Sequence, residues 1–120
     1  MTGTEAIIFA GEAHKKFYEE QLQKCRYRDG YHRALIYALG ITEDIRNHFK
    51  EVYDVENDSI KRGSLHAPWV TGTDARVMRL AFTLYTDYVP DDDDTYNIPA
   101  IFSYGTCRLL CQAIQLRYGD

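Results

Sequence analysis

Residues 29–49 read DGYHRALIYALGITEDIRNHF, and the order of polar and apolar groups in this stretch decides the fold. Asp29 is a natural N-cap, because its carboxylate can accept the unpaired N–H groups of a first turn. Residues 30–39 then predict a helix with Tyr31, Leu35, Ile36, Ala38 and Leu39 facing inward. Gly40 ends it, since glycine readily takes the left-handed conformation that helix C-termini often need. Thr42 caps a new helix at once, with Glu43 and Asp44 in the first turn, where the helix dipole favours negative charge. Ile45, Phe49 and Val52 form the inner face of that helix. Five charged groups and two histidines sit among these apolar residues, so the segment is both core and surface.

The flanking chain carries the same helical periodicity. Residues 11–26 predict a first helix with Ala13, Phe17, Leu22 and Cys25 on one side. Glu12, Lys15, Lys16, Glu19 and Glu20 fill the other, and Phe9 staples its start. Residues 54–71 read as a long irregular connection, interrupted by Gly63 and Pro68 and pinned by Ile60, Leu65 and Trp69. Only a short helix near Ser59 would shorten it, and connections longer than about 12–15 residues are commonly functional. Thr73 opens a helix over residues 74–85, with Val77, Leu80, Ala81 and Leu84 at helical spacing. After an acidic turn begun by Pro90, Asn97 caps the last helix, with Pro99 tolerated in its first turn. Its apolar face is Ile101, Phe102, Leu109, Ala113, Ile114 and Leu116. Only residues 7–9 hint at strand. The expectation is an all-α fold: one compact domain over residues 1–120, about five helices, and a long irregular loop between helices three and four.

Composition places the chain among soluble globular proteins, with 45% apolar and 27% charged residues. The 120 residues suffice for one core without metal or disulfide staples, since a chain of this size buries roughly 65% of its unfolded surface. The apolar run at residues 6–10 is too short for a signal peptide and lacks a basic flank. No run approaches the roughly 20 apolar residues that span a bilayer, so a cytoplasmic protein without membrane contact is expected. Of the three cysteines, Cys107 and Cys111 lie four apart on one helical face. Their expected role, with Cys25, is that of small buried apolar side chains.

The net charge of −4 argues against direct nucleic-acid binding, which needs a basic footprint. Charge is nonetheless segregated. Lys24, Arg26, Arg28 and Arg33 face only Asp29, whereas Asp87, Asp91, Asp92, Asp93 and Asp94 have no basic residue among them.

Four constellations can carry chemistry. His14, His32, His48 and His66 are candidate bases or acids, with Glu19, Asp29 and Asp44 as carboxylate partners. His14, His32 and His48 belong to three helices that would have to converge, and the plainer reading is ordinary helix residues. No zinc spacing is present, so no metal or cofactor is expected. Trp69, Thr71, Gly72 and Thr73 lead into Arg76 at a helix N-terminus suited to a phosphate, although no Walker loop is present. With Arg46 and His48 they would line a pocket, arginines on phosphate and the tryptophan on a base. A capped helix start with an anchoring tryptophan is the simpler alternative. Ten tyrosines are too many for one core and favour a binding surface. The run of four aspartates lacks EF-hand spacing and reads as a solvated loop. No nucleophile elbow and no GxGxxG occur.

The segments EAHKKFYEEQL, DGYHRALIYALGITEDIRNHF, WVTGTDARVMRLAFTLY, YNIPAIF and AIQLRYGD resemble a small uncharacterised family of unknown function. That family comes from Gram-positive, mostly gut, bacteria and their phages and integrated mobile elements. Matching positions include His14, Phe17, Tyr18, Tyr31, Gly40, Ile41, Arg46, His48, Trp69, Thr71, Gly72, Arg79 and Leu80. The family commonly has glutamine where this chain has Val70. The resemblance implies a genomic setting rather than an activity, and small proteins in that setting often act by occupying a host component.

The leading expectation is therefore a non-catalytic binding protein that inhibits a host anti-phage defence protein, in the manner of an anti-CRISPR. Its contact patches would be Tyr88, Asp91, Asp92, Asp93, Asp94 and Tyr96, and Arg26, Arg28 and Arg33. The alternative is a sponge for a nucleotide signalling molecule, held by Arg46, His48, Trp69, Thr71, Thr73 and Arg76. A histidine-dependent hydrolase using His14, His32 or His48 with Glu19 or Asp44 stands third. Homo-oligomerisation is left open.

Overall fold

A computed structural model describes residues 6–90, 93–103 and 105–119. The chain is mostly helical, with seven helices and one two-stranded hairpin among the described residues. The helices are α1 (Glu12–Lys24), α2 (Gly30–Leu39), α3 (Glu43–Asn47), α4 (Phe49–Val52), α5 (Gly72–Thr86), α6 (Ile98–Ile101) and α7 (Cys107–Tyr118). Strands β1 (Tyr53–Asp54) and β2 (Ser59–Ile60) pair antiparallel, Tyr53 opposite Ile60 and Asp54 opposite Ser59. The radius of gyration is 13.4 Å, as expected of a single compact body of this length. None of the described helices is long and apolar enough to cross a membrane.

Helix α2 is the axis. It packs along α5 and α7 and against α1, so Ala34, Leu35, Ile36, Tyr37, Ala38 and Leu39 are all fully buried. Asp29 caps it as its position implied, accepting the N–H of His32 at 3.0 Å. Tyr31, expected inside, is exposed instead: it stands in the first turn of α2, where its ring meets the last turn of α7 at Arg117. Gly40 ends α2 in a right-handed conformation, φ −89°, not the left-handed one. Close approach explains it: a Cβ there would lie 2.6 Å from Phe17 and 2.9 Å from His14.

Helix α1 is rotated from the expected stripe. Ala13 faces solvent, and His14, Phe17 and Tyr18 are buried in its place. His14 fits because both ring nitrogens are satisfied. Nε2 donates to the Tyr37 carbonyl at 2.8 Å, and Nδ1 accepts from the Ala10 N–H at 3.0 Å. Phe9 closes this corner, edge-on to His14 at 5.1 Å and tilted against Tyr18 at 5.6 Å.

Two expected helices are each broken in two, which turns five into seven. At His48 the ring Nδ1 takes the Asp44 carbonyl at 2.9 Å, so the His48 N–H turns to Ile45 instead. A side chain competing for a helix carbonyl interrupts the ladder there. Between α6 and α7, Gly105 and Thr106 take left-handed conformations, φ 53° and 55°, and the chain restarts. Pro99 sits in the first turn of α6, capped by Asn97.

The connection from residue 54 to 71 carries β2 and a 3-10 turn at Arg62–His66. Ser59 therefore lies in a strand rather than a helix, and residues 7–9 are irregular rather than extended in a sheet. Helix α5 starts earlier than Thr73. Thr71 is its N-cap, in a reciprocal box with Asp74. Asp74 is buried and also accepts the Thr42 hydroxyl at 2.7 Å, so one carboxylate joins the starts of α3 and α5. Cys25 is buried as expected, whereas Cys107 and Cys111 are exposed, because α7 buries Leu110 and Ala113 on its opposite face.

Candidate functional site

An exposed cluster of tyrosine, arginine and aspartate lies where α2 begins and α5 and α7 end. Gly30 lets those elements meet: a Cβ there would stand 2.9 Å from the Arg117 carbonyl oxygen. In the last turn of α7, Arg117 sends Nε to the Leu84 carbonyl at 2.9 Å and satisfies the C-terminus of α5. Its other end forks onto Asp87, with Nη2 3.1 and 3.2 Å from the two carboxylate oxygens. Asp87 closes α5 at φ 59°, a left-handed position that aspartate tolerates better than most residues.

Two tyrosine rings sandwich this pair. The Arg117 guanidinium lies 3.6 Å from the Tyr31 ring centroid and 4.4 Å from that of Tyr118. Both hydroxyls donate to Asp87 at 3.3 Å. The tyrosines remain 38% and 57% exposed, while the Arg117 side chain is only 13% exposed. Aromatic area is thus held rigid at the surface, and little side-chain entropy is left to lose on binding. Beyond Asp87, Tyr88 and Val89 are also exposed, and Arg62 lies 5.2 Å from the Tyr88 ring centroid.

On the buried side of α2, His32 bridges two carboxylates: Nδ1 lies 2.7 Å from Asp29 and Nε2 2.9 Å from Asp58. Asp58 stands at φ 55° in the hairpin turn, and the same oxygen receives the hydroxyls of Tyr53, at 2.5 Å, and Tyr85. Burial works against the Asp58 carboxylate, yet hydrogen bonds from Tyr53, Tyr85 and His32 outweigh it and hold its carboxyl below the ordinary range. Burial, then the Asp58 partner, pushes both tyrosine hydroxyls up. His32 is 4% exposed, so this network docks the hairpin on α2 and α5 and offers little access to a substrate.

The hairpin also walls a groove of about 780 Å³, lined by Lys24, Arg46, His48, Phe49, Tyr53 and Lys61 among others. Of the six residues expected to hold a nucleotide, Arg46 and His48 reach it. Trp69 stacks on His48, centroids 4.3 Å apart at 8°, and donates Nε1–H to Glu51 at 3.0 Å. Thr71, Thr73 and Arg76 stand apart, at the start of α5. There Asp74 accepts the Thr71 N–H at 3.0 Å, and Arg76 donates to the Thr73 hydroxyl. Arg46 also donates to the Gly40 carbonyl at 2.7 Å.

The histidines do not converge. His14 is enclosed in the α1–α2 contact, His32 in the hairpin network, and His48 on the groove. Burial first, then Arg46, lowers the affinity of His14 for a proton against the pull of the Tyr37 carbonyl. Asp44 is pushed up by its hydrogen bond with Asp74 and the repulsion between the two carboxylates.

Among the expected contact residues, Arg26 is exposed, while Arg28 donates to the Gln23 carbonyl at 3.0 Å and Arg33 to that of Arg28. Asp91 and Asp92 lie outside the described residues. Asp93 accepts from the Thr95 N–H, Asp94 opens a single 3-10 turn, and Tyr96 faces Arg79. Arg117, Asp87 and Asp58 were not singled out as site residues. The Asp29–His32 spacing of three was legible; the partners 26 residues and more away were not.

No curated protein and no solved structure matches the chain. Residues 4–120 match one family model, and the chain belongs to that family, the family of unknown function DUF6075.

Proposed function

We propose that this protein is a non-catalytic binding protein of a mobile element that inhibits a host anti-phage defence protein by occupying it, as an anti-CRISPR does. The observation that carries the reading is the Tyr31–Arg117–Tyr118 cluster, held on Asp87 with both tyrosines exposed. Tyrosine and arginine are the residue types that dominate interface energetics. The proposed contact surface is centred there and takes in the exposed Tyr88; Tyr96 and the 91–94 acidic run are further proposed contacts, and Arg26, Arg28 and Arg33 a second patch. Phage plating on a host with an active defence system tests it. Expression should raise plating efficiency, and Tyr31→Ala/Tyr118→Ala should abolish the rise while the protein stays folded. Full activity in that double variant would remove the surface.

The groove beside His48 and Arg46 favours a second reading, a sponge for a nucleotide signalling molecule, with three lysines and an arginine set against Glu51, Asp54 and Glu56 around Phe49 and Tyr53. Calorimetry with cyclic and linear nucleotides separates the two. Heat that disappears in Arg46→Ala supports the sponge, and silent titrations exclude it.

A further inference from the structure

Cys107 and Cys111 occupy successive turns of α7, both exposed, with their sulfurs 3.9 Å apart. Free thiols are usually buried, and an exposed pair at contact distance is a different object from one reactive thiol. An ion about 2.3 Å from each sulfur spans the 3.9 Å gap with an S–metal–S angle of about 116°. Rotation of either exposed side chain opens that angle further. No third histidine, cysteine, aspartate or glutamate joins them among the described residues. Zinc, which wants four ligands, is left half-coordinated.

We propose that Cys107 and Cys111 form a two-thiolate site for a soft monovalent cation of the Cu(I) class. Thiolates select Cu(I) over harder ions, and a closed-shell monovalent ion is satisfied by two sulfurs. Binding forms two copper–sulfur bonds and releases the thiol protons to solvent, with no change of oxidation state. The surroundings suit the negative charge. Thr106 makes no side-chain cap to α7, its hydroxyl turning back to the Gly105 carbonyl, so the first-turn N–H groups keep their favourable field for anions. Both thiols give up their protons on binding, so binding strengthens as pH rises. The site lies at the opposite end of α7 from Arg117 and does not depend on the proposed inhibitory surface.

The test is anaerobic titration of the reduced protein with Cu(I) delivered as its bicinchoninate complex, read by loss of the complex's colour. Wild type should withdraw one copper per chain and keep its oligomeric state unchanged through the titration. Cys107→Ser and Cys111→Ser should each weaken retention about 100-fold, since a second ligand on the same helix acts at high effective concentration. Melting curves confirm that these exposed substitutions leave the fold intact. Three results would overturn the site: no withdrawal by wild type, equal withdrawal by the Cys107→Ser/Cys111→Ser double variant, or one copper shared by two chains.

Discussion

His32 Nε2 lies 2.9 Å from Asp58 Oδ1 across 26 residues of chain, and this contact fastens the β1–β2 hairpin to α2. Tyr53 and Tyr85 donate to the same oxygen, so one carboxylate oxygen meets three partners, His32 and Tyr53 buried and Tyr85 partly so. Asp58→Ala leaves all three without an acceptor and should cost about 2–4 kcal/mol. Asp58→Asn keeps the left-handed turn and one acceptor, and should cost about half as much. Urea unfolding gives the size, and amide exchange over residues 53–60 gives the place. Unchanged exchange there in Asp58→Ala would mean that the hairpin is held by something else.

Two acid-sensitive contributions follow, in separate windows. Asp58 titrates below its ordinary value of 3.8 in the folded state. Its contribution is complete above that value and is lost as pH falls through the lower folded one. His14 titrates below its ordinary 6.5, because burial disfavours the imidazolium and the Arg46 charge adds to that. Its contribution is complete above pH 6.5 and declines as pH falls from there. Stability profiles should therefore lose the near-neutral slope in His14→Gln and the strongly acid slope in Asp58→Asn. A His14→Gln profile parallel to wild type between pH 5 and 7 would refute the assignment.

Gly40 is needed for space rather than for backbone freedom. Gly40→Ala pushes a methyl group into Phe17 and His14 and should destabilise by about 1–3 kcal/mol. Phe17→Leu, placed in the same chain, should recover part of the loss because the nearest clashing atom belongs to that ring. A double variant no better than additive would show that the strain lies in the backbone.

Arg117→Lys keeps the charge but removes the planar face between Tyr31 and Tyr118 and the fork onto Asp87. A loss of about 1–2 kcal/mol is expected, measured by chemical denaturation, together with weaker inhibition in the plating assay. Stability lost with inhibition intact would make the sandwich a strut alone.

Local chemistry determined the helix starts. Asp29, Thr42 and Asn97 each cap the helix that their position implied, since a cap needs only a side-chain oxygen and the next three N–H groups. Apolar spacing likewise marked α2 and α5 as core helices, with Leu35, Ala38, Val77 and Ala81 buried. Periodicity misjudged Ala13 and Tyr31, because it measures hydrophobicity and not which side of a helix has a neighbour. It had no view of why His14 is tolerated inside, which depends on a carbonyl 23 residues away. The breaks at His48 and Gly105 were equally hidden, each arising from side-chain competition or a backbone angle.

The candidate surface divides the same way. Ten tyrosines announced by count alone that some must be exposed. Which ones, and that two of them grip Arg117, followed only from bringing the ends of α2, α5 and α7 together. Asp58 and Asp87 became acceptors because the fold placed donors around them at ranges no local pattern records. Sequence determined the helices and their caps, whose partners lie within four residues. Tertiary structure decided the sites, because a hydrogen bond or ring contact acts over a few ångströms of space irrespective of separation along the chain.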